Sequence, residues 1–250
     1  MAEDYRKDGK SKIYCYLWMM EREVLMMSLS GTYREQGFLQ WLQENGKPVR
    51  LLDAEDWEGT RCYCSQEAAE RLMDSLPLDL PKVRWIDSGD YHYMSHLLAL
   101  REKEPFHLVL LDHHPDNQEP AFGDVLSCGS WVKVFREQNP KLEDILCIGP
   151  EGCPEDIPDG WLESRRGERL YVSLDKDIMS QGWARTDWTQ GSHTLPQVKA
   201  IMGRLLEEGN VVAVDICGEL QESKGASAED LRINKETNIE LYNYITAFFN

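Results

Sequence analysis

Residues 108–118 read LVLLDHHPDNQ, four apolar residues followed by two acids and two histidines within five positions. Successive side chains of an extended chain alternate faces, so Asp112, His114 and Asp116 are expected on one side and His113 and Pro115 on the other. Pro115 supports this, because the residue before a proline is steered away from helical angles, which holds His114 extended. Two carboxylates and an imidazole sharing one small volume would repel one another and be costly to desolvate. A divalent cation removes that objection.

The pattern recurs. Residues 173–177, SLDKD, follow another apolar run and put Asp175 and Asp177 on one face with Lys176 on the other. Upstream, residues 85–96, WIDSGDYHYMSH, end an apolar run near Gly89 and supply His92 at the start of an expected helix, with His96 a turn later. Two histidines and four aspartates from three strand ends make an oxygen-rich set with some nitrogen, which suits Mn(II) better than the cysteine and histidine of structural zinc. There are more ligands than one ion needs, since carboxylates can bridge two.

Working outward, short apolar runs followed by polar residues and helical patterns appear five times: VRWIDSGDYH, FHLVLLDHHPD, DILCIGPEG, LYVSLDKD and VVAVDICGE. Strands alternating with helices imply a largely parallel sheet, and runs apolar on both faces imply helices on both sides. Helices are expected at 65–76, capped by Ser65, at 91–103, at 196–208 and at the C-terminus, where Ile239, Tyr242, Ile245 and Phe249 recur at helical spacing. Segments 148–169 and 217–228 read as loops. In such sheets the carboxyl ends of the strands form the ligand edge, where the acids and histidines fall.

At 250 residues and 42% hydrophobic, the chain suffices for one α/β domain spanning 1–250. A formal charge of −17 argues against nucleic-acid or anionic-membrane partners, which require a basic stripe. No apolar run reaches membrane-spanning length, so a soluble cytoplasmic protein is expected. Seven cysteines, an odd number thinly spread, read as reduced thiols, and Cys62 and Cys64 as strand residues, because their spacing is wrong for a zinc knuckle.

The GxxH strand end, DHHPD and SLDKD, in that order over roughly residues 85–220, resemble the motifs of the ureohydrolase (arginase and agmatinase) superfamily. The resemblance implies a three-layer α/β/α sandwich with a mostly parallel sheet of about eight strands. It implies two Mn2+ ions bridged by Asp112 and Asp175, one completed by His92 and Asp116 and the other by His114 and Asp177. A hydroxide held between the ions would attack a guanidinium or amidine carbon, releasing an amine and urea or a related fragment. A small cationic substrate is implied, and a homo-oligomer stays open.

Several positions depart from the family pattern. His113 stands where a small residue is usual and reads as a strand residue packed on the opposite face. Cys128, before Gly129, stands where the family places a proton-shuttling histidine; its thiol either relays a proton or packs. SLDKDIMSQGW lacks the family's later Asp and Pro, and the following loop offers Trp183, Asp187 and Trp188 either as a cation-holding wall or as a loop whose aromatics pack beneath it, with Asp124 a further acid for a cationic substrate. Glu219 falls one position later than the family glutamate that grips the guanidinium. His96, His107 and His193 read as packed or surface histidines. Two other readings are a single-zinc deacetylase of the related fold, suggested by the adjacent His113 and His114, and a metal-binding member without turnover.

Overall fold

The computed structural model describes residues 23–121, 123 and 125–249, so Cys15 and Asp124 lie outside the described residues. Along the chain run β1 (Val24–Ser28), α1 (Thr32–Glu35), α2 (Phe38–Glu44), β2 (Val49–Asp53), β3 (Tyr63–Cys64), α3 (Gln66–Ser75), β4 (Val83–Asp87), α4 (Met94–Ala99) and β5 (Phe106–Leu111). There follow β6 (Leu126–Ser127), α5 (Trp131–Gln138), β7 (Leu142–Ile148), α6 (Trp161–Ser164), β8 (Arg169–Asp175), α7 (Leu195–Glu208), β9 (Asn210–Cys217) and α8 (Ala228–Thr246).

Seven strands form one sheet in the order β2-β1-β4-β9-β8-β5-β7, every pairing parallel. The central strands are buried throughout β1, β4 and β5, as their apolar runs require. Alternate residues divide the core in two. Trp85, Val109, Val172 and Val214 face α7 and α8, with Ile201 and Leu241. Ile86, Leu108, Tyr171 and Ala213 face α3, α4 and α5, with Leu72, Leu98 and Phe135. Helices thus cover both faces in the expected α/β/α sandwich, with seven strands in its central sheet among the described residues.

The expected Ser65 cap is in place, and a second helix carries a capping box. Ser65 Oγ accepts from the Ala68 amide at the start of α3, and Thr194 and Gln197 form a capping box at α7. The helix expected at 91–103 is shorter, because residues 89–91 form a 3-10 turn and α4 begins only at Met94. Cys64 lies in β3, but Cys62 precedes the strand with a left-handed φ of 58°. β3 and β6 pair antiparallel as a short ribbon outside the main sheet.

The topology positions the site. β4, β9, β8 and β5 are neighbours in the sheet although far apart in sequence, so their carboxyl ends meet at one point on its edge. Among the described residues no helix is long and apolar enough to cross a membrane.

Candidate metal centre

His92 follows β4, Asp112 follows β5, Asp175 ends β8 and Cys217 ends β9, each projecting from one of these four adjacent strands. His92 Nδ1 stands 3.0 Å from Asp116 Oδ2, 3.2 Å from Asp112 Oδ2 and 3.5 Å from Asp175 Oδ2. Beside this group, His114 Nδ1 lies 2.7 Å from Asp177 Oδ2 and 3.7 Å from Asp112 Oδ1. Asp112 therefore contributes to both clusters, one oxygen to each.

The local backbone explains how these side chains converge, and it is not the simple alternation expected from the sequence. The chain leaves the strand after Leu111, and the His114 amide donates to Asp112 Oδ1 at 2.6 Å across a tight bend. Asp116 adopts a left-handed φ of 44°, which swings its carboxylate back beneath His92, where the Trp131 indole donates to Oδ2 at 2.7 Å. Asp177 lies in a 3-10 turn, its amide donating to Asp175 Oδ1 at 2.8 Å. Gly218 closes the floor at φ 92°, where a Cβ would stand 2.2 Å from Asp175 Oδ1.

The electrostatics are those of a site missing positive charge. Burial, then the neighbouring Asp177, pushes Asp175 up to about 6, and burial, then Asp112, pushes Asp177 up to about 7. Asp112 and Asp116 are raised by burial as well. Hydrogen bonding to Asp112 and then to Asp177 lifts His114 to about 10. His92 Nδ1 and Asp112 Oδ2 are both buried without a hydrogen-bond partner, although they face each other. Two orphaned donor atoms at that spacing, ringed by carboxylates, fit a divalent cation, since ligands of one ion at metal distances of about 2.1 Å stand roughly 3 to 3.5 Å apart.

Above the carboxylates is a cavity of about 260 Å³ walled by Cys62, Tyr63, Gln118, Cys128 and Trp188. The β3–β6 ribbon supplies one wall. No family model matches the chain. An uncharacterised protein of Thermotoga maritima is 25% identical over 209 residues, covering 80% of this chain and 81% of that one. Among solved structures, agmatine ureohydrolase of Thermoplasma volcanium superposes with a TM-score of 0.61 at 14% identity over 92% of each chain. Proclavaminate amidinohydrolase of Streptomyces clavuligerus gives 0.60 at 16% identity, covering 90% of this chain and 91% of that one. Arginase of Bacillus cereus gives 0.59 at 11%, covering 91% and 97%. The chain has the arginase-type fold.

On this arginase-type frame the structure brings together His92, Asp112, His114, Asp116, Asp175 and Asp177, and places the other expected residues variously. Cys128 lines the cavity, its thiol pushed up to about 12 by burial and then by Asp116, so it stays protonated at neutral pH. Glu219 does not reach the cavity: it is fully buried, paired with Lys176 and accepting from Asn238 Nδ2 at 2.7 Å. The expected aromatic wall is divided. Trp188 borders the cavity, Asp187 is held by Lys224 at 2.9 Å, and Trp183 lies in a separate groove between α7 and α8.

His113 is a bend residue rather than a strand residue; its amide donates to Asp177 Oδ1 at 2.9 Å, and its ring belongs to neither cluster. His96 packs on Phe135, His107 pairs with Glu168 at 2.7 Å and His193 contacts the Glu155 carbonyl at 2.9 Å. Four contributors escaped the sequence reading: Cys217, Trp131, Thr189, whose hydroxyl lies 2.8 Å from His114 Nε2, and Asp90, buried beneath Lys224, Arg61 and Trp188. Position just beyond an apolar run was a signal for Asp90, whereas Trp131 and Thr189 carried none.

Proposed function

We propose that the protein is a binuclear manganese-dependent hydrolase that cleaves a carbon–nitrogen bond in a small cationic guanidino or amidino compound. The facing atoms His92 Nδ1 and Asp112 Oδ2, buried without a hydrogen-bond partner among crowded carboxylates, carry this reading, because one cation would satisfy both and offset the surrounding negative charge. The likeness of the fold to agmatine ureohydrolase and arginase supports the same chemistry.

His92, Asp116, Asp112 and Asp175 would hold one ion, and Asp112, Asp175, His114 and Asp177 the other. Bound there, the ions supply charge that acidifies water and stabilises charge developing on the amidine carbon. The protein's own groups set the geometry. Trp131 fixes Asp116, the Asp177 amide fixes Asp175, and Ser173 Oγ, 2.9 Å from His92 Nε2, fixes the ring of His92. Thr189 Oγ1, 2.8 Å from His114 Nε2, fixes the ring of His114. The part-exposed Trp188 ring offers a face to a guanidinium, and the compact cavity favours a small amidine over a bulky one. Six free thiols in the described residues accord with a reducing cytoplasm.

Manganese-loaded protein is to be incubated with a panel of guanidino and amidino compounds while urea and amine release are followed. Turnover of at least one, abolished in Asp175→Asn, is the expected result. Full manganese occupancy without turnover of any compound would overturn hydrolysis and leave a metal-binding role.

A further inference from the structure

Among the described residues, Cys217 is the soft donor that falls within a candidate metal cluster. It pairs in register with Asp175 across the β8–β9 ladder and with Asp87 of β4, so its side chain emerges between the strands that carry His92 and Asp175. Its Sγ lies 3.0 Å from Asp175 Oδ2, and Cys217, Asp175 and His92 form a cluster compact enough to share an ion. The thiol is buried, and His92 Nδ1, 3.5 Å from the Asp175 Oδ2 that the thiol meets, is a buried ring nitrogen without a hydrogen-bond partner. Ligands of one ion, with sulfur at about 2.3 Å and oxygen at about 2.0 Å, stand roughly 3 to 3.5 Å apart, a range that reaches the observed spacing.

We propose that Cys217 is a thiolate ligand of the ion held by His92 and Asp175, which refines the two-manganese reading above: that position, sulfur-, nitrogen- and oxygen-ligated, takes a zinc-like ion in preference to manganese. The proposal rests on the metal centre above but not on its turnover. The neighbouring position, built from Asp112, His114 and Asp177, offers only oxygen and nitrogen and keeps the preference for manganese. On coordination the S–H bond breaks, the sulfur–metal bond forms and the proton leaves to solvent, with no change of oxidation state. The two positions thus differ in softness, and the centre takes up unlike ions.

Metal-free protein titrated with cobalt(II) tests this by absorption spectroscopy. Wild type is expected to show an intense near-ultraviolet thiolate-to-cobalt charge-transfer band, saturating at one cobalt per chain. Cys217→Ser is expected to lose the band while still binding cobalt, and to lose zinc affinity on the order of tenfold or more with little change for manganese. Cys128→Ser, which removes another thiol at the cavity, is expected to keep the band, so a poorly folded Cys217→Ser does not blunt the test. Cobalt bound with ligand-field bands only would overturn the thiolate and leave the hydrolase reading standing. No binding of cobalt, zinc or manganese would overturn both.

Discussion

Lys176 and Glu219 form a fully buried ion pair directly behind the turn that presents Asp175 and Asp177. Asn238 of α8 completes it, accepting from Lys176 Nζ at 3.1 Å and donating to Glu219. The residue between two candidate ligands is therefore anchored in the core, tying the C-terminal helix to the site.

Removing one member should leave an uncompensated buried charge, at a cost of about 3 to 5 kcal/mol. Lys176→Met and Glu219→Leu are each expected to destabilise by that order in urea denaturation, and the double variant by clearly less than the sum. Additive losses would show that the two charges do not depend on each other.

Trp131 makes a smaller but more pointed contribution, because its indole donates to a candidate ligand, Asp116. Trp131→Phe keeps the ring and removes the donor, so a stability loss of about 1.5 to 3 kcal/mol is expected for a bond to a charged acceptor. Manganese affinity, measured by calorimetry, should fall about 10- to 100-fold. Unchanged affinity would mean that Asp116 is oriented without Trp131.

The strand ends were legible in the sequence because β4, β5, β8 and β9 are central, buried on both faces and hence continuous apolar runs. β2 was not, since as an edge strand it is half exposed and reads as mixed polarity. The short helices α1 and α2 begin after Gly31 and Gly37 in left-handed conformations without side-chain caps, so no capping residue announces them. At the site, residue identity was legible but geometry was not: Asp116 and Asp177 reach their clusters by a left-handed residue and a 3-10 turn. Cys217, read at the start of a loop, ends β9 instead, and only the register of β8 against β9 sets it beside Asp175. Glu219 was misplaced for a related reason, since nothing local reveals that Lys176 points into the core to meet it.

His96 gives the fold a pH dependence independent of metal. Burial lowers it from 6.5 to about 4, and its Nδ1 has no partner, so it folds neutral. The unfolded chain therefore binds the extra proton between those values, and stability falls as pH drops through this window and is retained above it. The full effect is about 3 kcal/mol. His96→Phe should flatten the stability–pH curve between pH 6.5 and 4 relative to wild type. Parallel curves for the two proteins would show that His96 is solvated when folded.

Metal binding should convert the strain of the site into stability. At a hundredfold excess over Kd, manganese is expected to stabilise the protein by about 2.7 kcal/mol, read as a rise in Tm. Asp112→Asn should abolish that rise, because Asp112 serves both clusters, and yet leave the metal-free variant no less stable than metal-free wild type. The reason is that burial and Asp116 disfavour the charged form of Asp112 when no cation is present. Protons compete for the same oxygens: with Asp177 raised to about 7 and Asp175 to about 6, the metal must displace them at lower pH. Affinity should thus fall as pH drops from 8 to 5, approaching about tenfold per unit for each proton displaced. A pH-independent affinity over that range, measured by calorimetry in buffers of differing ionisation enthalpy, would place the ion away from these carboxylates.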